Sequence, residues 1–226
     1  MNKIKLNKIV LTMVACTTLS FTGCKNPAKD VPSAMVEDAK AEAGAKASAM
    51  PGKDAASKKM VAQTLKVTGE NTKIGFVGSK VTGSHTGGFK VVSGEVVLGS
   101  DLSATTAAIE IDMKSTFSDD PKLTGHLMSP DFFDVEKFPI ATFAINKIMA
   151  EASDAGTHNI TGDLMFHGVK KPVSFPAKVT DDVGSLKVST EFSINRKDFG
   201  IEYPGMKDDL IREEVVIKLN LDLAKS

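Results

Sequence analysis

The stretch "EVVIKLNLDLA", Glu214–Ala224, alternates apolar and polar side chains near the end of the chain. In an extended segment one side would carry Val215, Ile217, Leu219, Leu221 and Leu223, and the other Val216, Lys218, Asn220 and Asp222. Successive side chains of a β-strand point to opposite faces, so the pattern predicts a strand with one dry face and one face in water. Strands of this kind are typical of antiparallel sheets.

The same alternation recurs in "TAAIEIDMK" (106–114) and "SLKVSTEFSI" (185–194). Further strands are predicted over residues 65–68, 73–81, 89–98, 140–148, 160–166 and 173–180. Short turns such as "ASDAGTHN" and "TDDVGS" join most of these strands. The sequence therefore predicts an all-β domain over residues 62–226, in which about eight or nine strands form a closed or sandwiched antiparallel sheet.

One short helix is predicted after Asp119-Asp120-Pro121. An aspartate accepts hydrogen bonds from the free amides of a first helical turn, and proline needs no donor there. Leu123 and Leu127 lie four residues apart and would share a face, and the helix should end near Ser129.

Residues 1–23 have the layout of a secretory signal peptide: three lysines, the apolar run "IVLTMVACTTLSF", then small residues. The run is too short for a permanent membrane span. The following "FTGC" resembles the lipobox of bacterial lipoproteins, which would make Cys24 the acylated first residue; the alternative is a secreted protein with an unmodified Cys24. The only other cysteine, Cys16, lies in the signal region, so the folded domain should contain no disulfide.

Residues 24–61 are rich in Ala, Lys, Gly and Pro and contain no aromatic side chain. Such a composition buries too little apolar surface to offset the entropy of ordering, so this region is predicted to be a disordered tether. As a flexible coil it would span roughly 35 Å and hold the domain away from a membrane.

Charge argues against nucleic-acid binding. The whole chain has 28 basic and 28 acidic residues, of which 18 basic and 23 acidic follow residue 61, and only two are arginines, Arg196 and Arg212. A slightly acidic domain without a basic stripe lacks the electrostatic footprint of a nucleic-acid-binding protein.

The segments "HTGGFKVVSGEV", "MKSTFSDDPKLTGHLMSPDFFDVEKFPIATF", "ITGDLMFHGVKKPVSFP" and "INRKDFGIEYPG" occur in an order that resembles the YceI-like family, bacterial polyisoprenoid-binding proteins with a lipocalin-like barrel. The resemblance covers residues 65–224 and implies an antiparallel lipocalin-like β-barrel of about eight strands with one short helix. It departs where family members commonly carry an Arg-Asp pair ahead of the His-Leu of the helix, because Leu123 and Thr124 stand there. No role of that pair transfers to this chain.

The resemblance implies that an isoprenoid, a quinone or another amphipathic lipid binds inside the barrel without covalent attachment. Its apolar contacts are predicted to be Phe76, Phe89, Met113, Phe117, Phe133, Phe143, Phe192 and Phe199; the alternative for each is ordinary core packing. Arg196 and His126 are the candidates for a polar head group. The alternatives are an ion pair of Arg196 with Asp198 or a neighbouring acid, and a buried His126 bonded to backbone.

A binding protein rather than an enzyme is predicted, because no Gly-x-Ser-x-Gly elbow, catalytic cysteine or paired buried acids can be identified. The four histidines have no metal-ligand spacing, so neither a metal nor a cofactor is expected. The chain is expected to act as a carrier or reservoir in the cell envelope, as a periplasm-facing lipoprotein. Lys25 after the cysteine favours the outer membrane, by analogy with lipoproteins. The alternative is an envelope interaction module with a filled core, and homodimerisation is left open.

Overall fold

The computed structural model describes residues 25–38 and 63–225. The strands are β1 Met35–Val36, β2 Thr64–Thr68, β3 Thr72–Ser79, β4 Ser84–Phe89, β5 Val92–Val97, β6 Thr106–Asp112, β7 Thr116–Ser118, β8 Ile140–Ser153, β9 Gly156–Phe166, β10 Val169–Asp181, β11 Ser185–Asn195, β12 Gly205–Met206, β13 Asp209–Leu210 and β14 Glu214–Ala224. The described part has one α-helix, α1 Pro121–Met128, and four 3-10 helices, Pro27–Asp30, Leu102–Ala104, Met113–Ser115 and Arg196–Phe199. The predicted all-β class with one short helix is confirmed.

Twelve strands form one antiparallel sheet in the order β2-β5-β6-β8-β9-β10-β11-β14-β3-β4-β7, with β1 paired to β10. Strands β12 and β13 form a separate hairpin. The expected number of about eight strands is therefore wrong. Three long segments of the chain are each divided in two, and the short β1 adds a strand that the sequence did not predict.

The divisions fall where the chain bends. Residues 69–71 separate β2 from β3, residues 90–91 separate β4 from β5, and the 3-10 helix Met113–Ser115 separates β6 from β7. At the second bend the Ser115 hydroxyl accepts hydrogen bonds from the amides of Lys90 and Val91, at 3.1 and 3.0 Å. The Lys90 amide also donates to the Ser115 carbonyl at 3.2 Å, so the hydroxyl adds a second acceptor for Lys90 and supplies one for Val91.

The sheet curls round on itself. Strand β3 pairs with both β14 and β4, while β2, three residues before β3, pairs with β5. Strands β6 and β7 in turn pair with β5 and β4, and β6 pairs with β8. The pairing thus leads from the first bent segment through every other segment and back to it, which produces a barrel-like shape with an inner and an outer face.

Helix α1 begins and ends where the sequence predicts. The Asp120 carboxylate accepts from the amides of Lys122 and Leu123 at 2.7 and 3.3 Å, and Pro121 occupies the first turn. Ser129 caps the other end. Leu123 and Leu127 both face the barrel interior, so α1 covers one end of the barrel, which we call the helix end.

Two groups of buried apolar side chains fill the barrel around a cavity. The larger one is formed mainly by strands β2, β5, β6, β9, β10, β11 and β14 and includes Phe175, Phe192 and Phe199. The smaller one lies at the helix end and includes Phe76, Phe132 and Phe133. Strand alternation produces this interior, as predicted.

The N-terminal residues 25–38 are ordered, which corrects the prediction of a disordered tether for this part of 24–61. They contain a 3-10 helix, Pro27–Asp30, and strand β1, whose Met35 and Val36 pair with Ser174 and Val173. Because backbone hydrogen bonds do not require apolar side chains, the composition of this segment gave no indication of strand β1. The predicted signal region 1–23, Cys24 and residues 39–61 lie outside the described residues.

Residues 25–38 also explain why Val216 is buried, although alternation predicted that it contacts water. Val216 lies on the outer face of β14, where the pattern predicts contact with water, yet it is only 2% exposed. Its partner on β11, Ser193, is 3% exposed. The 3-10 helix Pro27–Asp30 packs against β14, and Ser33 forms a bridge to Ser193, so the N-terminal residues cover this part of the outer wall.

Candidate functional site

A cavity of about 390 Å³ lies inside the barrel. That volume is in the range of pockets that hold small ligands. Its walls come from the inward-facing side chains of β3, β4, β6, β8, β9, β10, β11 and β14, and from α1 and the turn after it. Apolar side chains make up most of the lining: Ile74, Phe76, Phe89, Ile109, Ile111, Met113, Leu123, Leu127, Phe132, Phe133, Ala141, Phe143, Leu164, Phe166, Val173, Phe175, Phe192, Ile194, Ile201, Tyr203, Met206, Ile211, Val215, Ile217 and Leu219.

Aromatic rings form the wall at the helix end. The rings of Phe76 and Phe133 meet edge to face at 6.2 Å, and the ring of Phe89 lies about 6 Å from each. Phe133 is held by the turn after α1, because its amide donates to the Leu127 carbonyl at 3.0 Å. Phe166 contacts Phe133 at 5.6 Å. These rings make a rigid apolar surface.

The deeper part of the cavity is lined by a second aromatic group. Phe175 and Phe192 stack at 4.1 Å with an angle of 6° between their planes, and Phe143 lies 5.7 Å from Phe175. Aliphatic side chains such as Ile109 and Leu219 fill the spaces between them. Among the described residues, the lining side chains that can carry a charge are Lys80, His85, His126, Arg196 and Asp209, and none of them lies on β6, β8, β9, β10 or β11. A ligand against these rings would therefore contact mainly apolar atoms.

Polar side chains reach the cavity at the helix end. Lys80 forms an ion pair with Asp209 at 2.6 Å, and Thr82 donates its hydroxyl to the same carboxylate. The hydrogen bond from Lys80 is the main reason that the pKa of Asp209 is lowered. His85 lies 2.9 Å from Asp119, whose pKa is lowered first by the amide of Thr86 and then by His85.

Arg196 lies at this end and is only 4% exposed. Its Nε donates to the Arg212 carbonyl at 3.1 Å and its Nη1 to the Ile201 carbonyl at 2.5 Å. No ion pair of Arg196 with a carboxylate is present among the described residues, so the predicted alternative of a pair with Asp198 is wrong. Burial lowers the pKa of Arg196, while the charges of Glu202 and Glu213 oppose that shift.

His126 also lines the cavity, but it is not the buried, backbone-bonded histidine that the alternative described. Its Nε2 lies 3.0 Å from Asp131 Oδ2, and its side chain is 37% exposed. The imidazole ring packs edge-on between Phe132 and Tyr203, at 5.0 and 4.9 Å. The ring therefore borders both the cavity and the solvent.

Eight of the ten predicted contact residues line the cavity: Phe76, Phe89, Met113, His126, Phe133, Phe143, Phe192 and Arg196. Phe117 does not. It is 40% exposed and packs under Lys90, whose Nζ lies 5.8 Å from the ring centre. Phe199 does not either, because it is fully buried in the core beside Phe166, 5.7 Å between rings.

The sequence reasoning missed most of the aliphatic lining. Ile109, Ile111, Ile217 and Leu219 lie on the predicted dry faces, so alternation already contained this signal, but the predicted apolar contacts were Met113 and seven phenylalanines. Ala141 carried no such signal; it lines the cavity as a small, buried side chain on β8.

Two absences hold for the part of the chain that the structure describes. No group of three His, Cys, Asp or Glu side chains in residues 25–38 and 63–225 is arranged to hold a metal ion. Within those ranges, no helix has both the length and the apolar character that a bilayer crossing requires.

Comparison with known proteins gives a family and a fold. A family model for the YceI-like domain matches residues 65–223. Over 121 residues the chain is 32% identical to a UPF0312 protein of Pseudomonas fluorescens (strain SBW25), which covers 50% of this chain and 62% of that protein. A UPF0312 protein of Pseudomonas savastanoi pv. phaseolicola is 32% identical over 108 residues, 45% of this chain and 55% of that protein. The matches thus span less than two thirds of these relatives.

Solved structures share the fold at low identity. BcnA of Burkholderia cenocepacia has a TM-score of 0.58 at 22% identity, covering 70% of this chain and 98% of BcnA. A polyisoprenoid binding domain from Saccharophagus degradans, implicated in plant cell wall breakdown, has a TM-score of 0.57 at 17% identity, covering 73% of this chain and 99% of that domain. Residues 25–38 lie outside the stretch that the family model matches.

Proposed function

The chain belongs to the YceI-like domain family, and we propose that it binds the apolar tail of an isoprenoid, a quinone or another amphipathic lipid inside its barrel. The observation that carries the proposal is the cavity of about 390 Å³, which is lined almost throughout by apolar side chains. Likeness to the polyisoprenoid binding domain of Saccharophagus degradans supports an isoprenoid as the first ligand to test.

Burial of apolar surface supplies the affinity. Each methylene removed from water contributes about 0.8 kcal/mol, which tightens a dissociation constant about fourfold. Among linear ligands of increasing length, affinity should therefore rise with each added carbon until the cavity is filled. Part of this gain is offset by the freedom that a flexible ligand loses on binding.

The distribution of polar groups gives the ligand a direction. Arg196, His126 and the Lys80–Asp209 pair border the cavity at the helix end, whereas the deeper part is apolar. A lipid would therefore place its tail against Phe143, Phe175 and Phe192 and its polar head near the helix end. No bond is made or broken, so the protein would act as a carrier or reservoir.

The rival function, an interaction module with a filled core, is disfavoured by the same cavity. A filled barrel has large inward side chains in every layer, whereas this barrel encloses a cavity of about 390 Å³ whose lining includes the small side chain of Ala141.

We also propose that the chain is exported and anchored to a membrane through an acylated Cys24. The described residues begin at Lys25, and residues 35 and 36 pair with a strand of the barrel, so an anchor at Cys24 would hold the barrel close to the membrane surface rather than on a long tether. Mass analysis of the mature N-terminus tests this: a diacylglycerol-modified Cys24 supports the anchor, and an unmodified cysteine overturns it.

The binding proposal is tested by filling the cavity. In Ala141→Phe a ring would enter the cavity from β8, while Ala144→Phe places the same ring on the outer, exposed face of that strand. Titration of the full chain with geranylgeraniol should show stoichiometric binding for the parent chain and A144F, and at least tenfold weaker binding for A141F. Equal affinity of A141F and A144F would contradict binding inside the barrel.

A further inference from the structure

Strand β11 is paired completely on one edge and incompletely on the other. All eleven of its residues, Ser185–Asn195, have partners on β14. On the other edge only four pairs join it to β10, from Lys178 with Ser189 to Asp181 with Leu186. Towards the helix end the two strands separate, and a gap opens between them in the barrel wall.

Two prolines on β10 account for this gap. Alternate residues of a strand point their backbone groups to the same neighbour. The carbonyls of Pro172 and Pro176 both point into the gap, because they accept from the Glu37 amide and from the Thr190 hydroxyl. Proline has no amide hydrogen to donate. Two donors that a continuous ladder with β11 would need are therefore missing from this edge.

Residues 32–37, which we call the seam segment, fill the gap. The amide of Ser193 on β11 donates to the Pro32 carbonyl at 2.9 Å, and the amide of Ala34 donates to the Ser193 carbonyl at 2.8 Å. On the β10 side, Met35 pairs with Ser174, and the Glu37 amide donates to the Pro172 carbonyl at 3.1 Å. The seam segment thus acts as an added strand between β10 and β11.

The cavity lies directly behind this gap. The inner faces of the two strands that border it supply Val173, Phe175, Phe192 and Ile194 to the cavity lining. Ala34 is 9% exposed and packs into the core beside them, whereas its neighbour Met35 is 64% exposed on the outer surface. The methyl group of Ala34, the partly buried side chain of Val36 and a few backbone hydrogen bonds therefore separate this side of the cavity from the outside.

We propose that the seam segment closes a side entrance to the cavity and that its detachment lets a lipid tail pass between β10 and β11. The proposal rests on lipid binding by the barrel. Detachment leaves β10 paired with β9 and β11 paired with β14, so the entrance opens without unfolding the sheet. The contacts that detach are the backbone hydrogen bonds of residues 32–37 and the packing of Ala34 and Val36. Segments with so few buried apolar contacts are the ones that open locally.

The chain offers a matched pair of variants. Ala34→Glu places a carboxylate in the core and should displace the seam segment, because a buried charge without a partner is strongly unfavourable. Met35→Glu adds the same charge one residue away on the outer surface. Dissociation of dansyl-labelled farnesol from the full chain into excess phosphatidylcholine vesicles should be at least tenfold faster in A34E than in the parent, and within twofold of the parent in M35E.

A disulfide that holds the seam segment in place tests the opposite change, closure instead of opening. This test does not depend on A34E remaining folded. In the full chain with Cys16 and Cys24 replaced by serine, Met35→Cys with Ser174→Cys would join the seam segment to β10, since paired residues on neighbouring strands lie within disulfide reach. Oxidation should slow farnesol release at least tenfold, and reduction should restore it. Lys187→Cys with Asp222→Cys joins the fully paired β11 and β14 and should leave release unchanged.

The outcomes are distinct. Uptake by every variant with the same release rate in the locked and reduced forms would overturn the side entrance, leave lipid binding intact and place entry at the helix end. No uptake of farnesol by the parent or any variant would overturn lipid binding and the side entrance with it.

Discussion

The two edges of β11 differ although they belong to one strand with one alternating sequence. Towards β14, backbone pairing is continuous from Ser185 to Asn195. Towards β10, pairing stops after four residues, and residues 32–37, from outside the region matched by the family model, complete the wall. The difference lies in the neighbour, because β10 carries prolines at positions 172 and 176. Continuous pairing between neighbouring strands of a barrel thus depends on backbone amide donors. Hydrophobic patterns do not reveal where these donors are missing.

The largest effect is expected from Phe192→Ala. The Phe192 ring stacks on Phe175 across the incompletely paired edge and is 6% exposed. Loss of a buried aromatic side chain typically lowers the free energy of unfolding by about 3–5 kcal/mol. Urea denaturation of the full chain measures it, with the exposed Lys187→Ala on the same strand as control. A loss below about 1 kcal/mol would show that side-chain packing does not hold β10 and β11 together.

A smaller effect is expected from Thr190→Val, which changes the same edge without removing volume. The Thr190 hydroxyl donates to the Pro176 carbonyl at 2.6 Å and replaces a missing ladder bond. Its loss should lower the free energy of unfolding by about 1 kcal/mol. Ser189→Ala, on the outer face of β11, is the control. Equal stability of T190V and the parent would mean that the hydroxyl does not compensate for the proline.

The completely paired edge should tolerate loss of a surface contact. Glu191 and Lys218 form an exposed ion pair at 3.1 Å between β11 and β14. Because such pairs are well solvated, Glu191→Gln should change the free energy of unfolding by no more than about 0.5 kcal/mol. A loss comparable to that in T190V, measured in the same urea series, would show that side chains as well as the backbone ladder hold this edge.

The smallest effect is confined to acid pH. The hydrogen bond from Lys197 at 2.6 Å, followed by that from Asn195, lowers the pKa of Glu213 beside the end of β11. A lowered pKa in the folded state stabilises the protein above the unfolded-state value, about 4.3, and this contribution is lost as the pH falls through the lowered pKa. Glu213→Gln should flatten stability below about pH 4.3. If E213Q and the parent lose the same free energy of unfolding as the pH falls below about 4.3, ionised Glu213 does not stabilise the folded state.

Much of the fold could be predicted from local patterns. Alternation placed Ile217 and Leu219 on the inner face, and Asp120-Pro121 placed the start of α1. The predicted contact at Phe117 was wrong because the 3-10 helix Met113–Ser115 interrupts the strand before it, and the ring lies on the outer face. Phe199 follows the last residue of β11 in another 3-10 helix and enters the core instead of the cavity.

The N-terminal segment could not be predicted for a different reason. Its residues contribute little apolar surface, and Ala34 is among the few that are buried. What orders the segment is an unpaired strand edge more than 130 residues away in sequence, created by the prolines of β10. An edge of this kind follows only from the assembled sheet. The composition of residues 25–38 holds no information about that edge, and for this reason it indicated disorder.

The central claim, that the barrel holds a lipid, is tested most directly by native mass spectrometry of the full chain purified without detergent, followed by organic extraction and identification of the extract. The account predicts one isoprenoid, quinone or other amphipathic lipid per barrel. A folded chain that carries no lipid, and acquires none when isoprenoids are added, would contradict it.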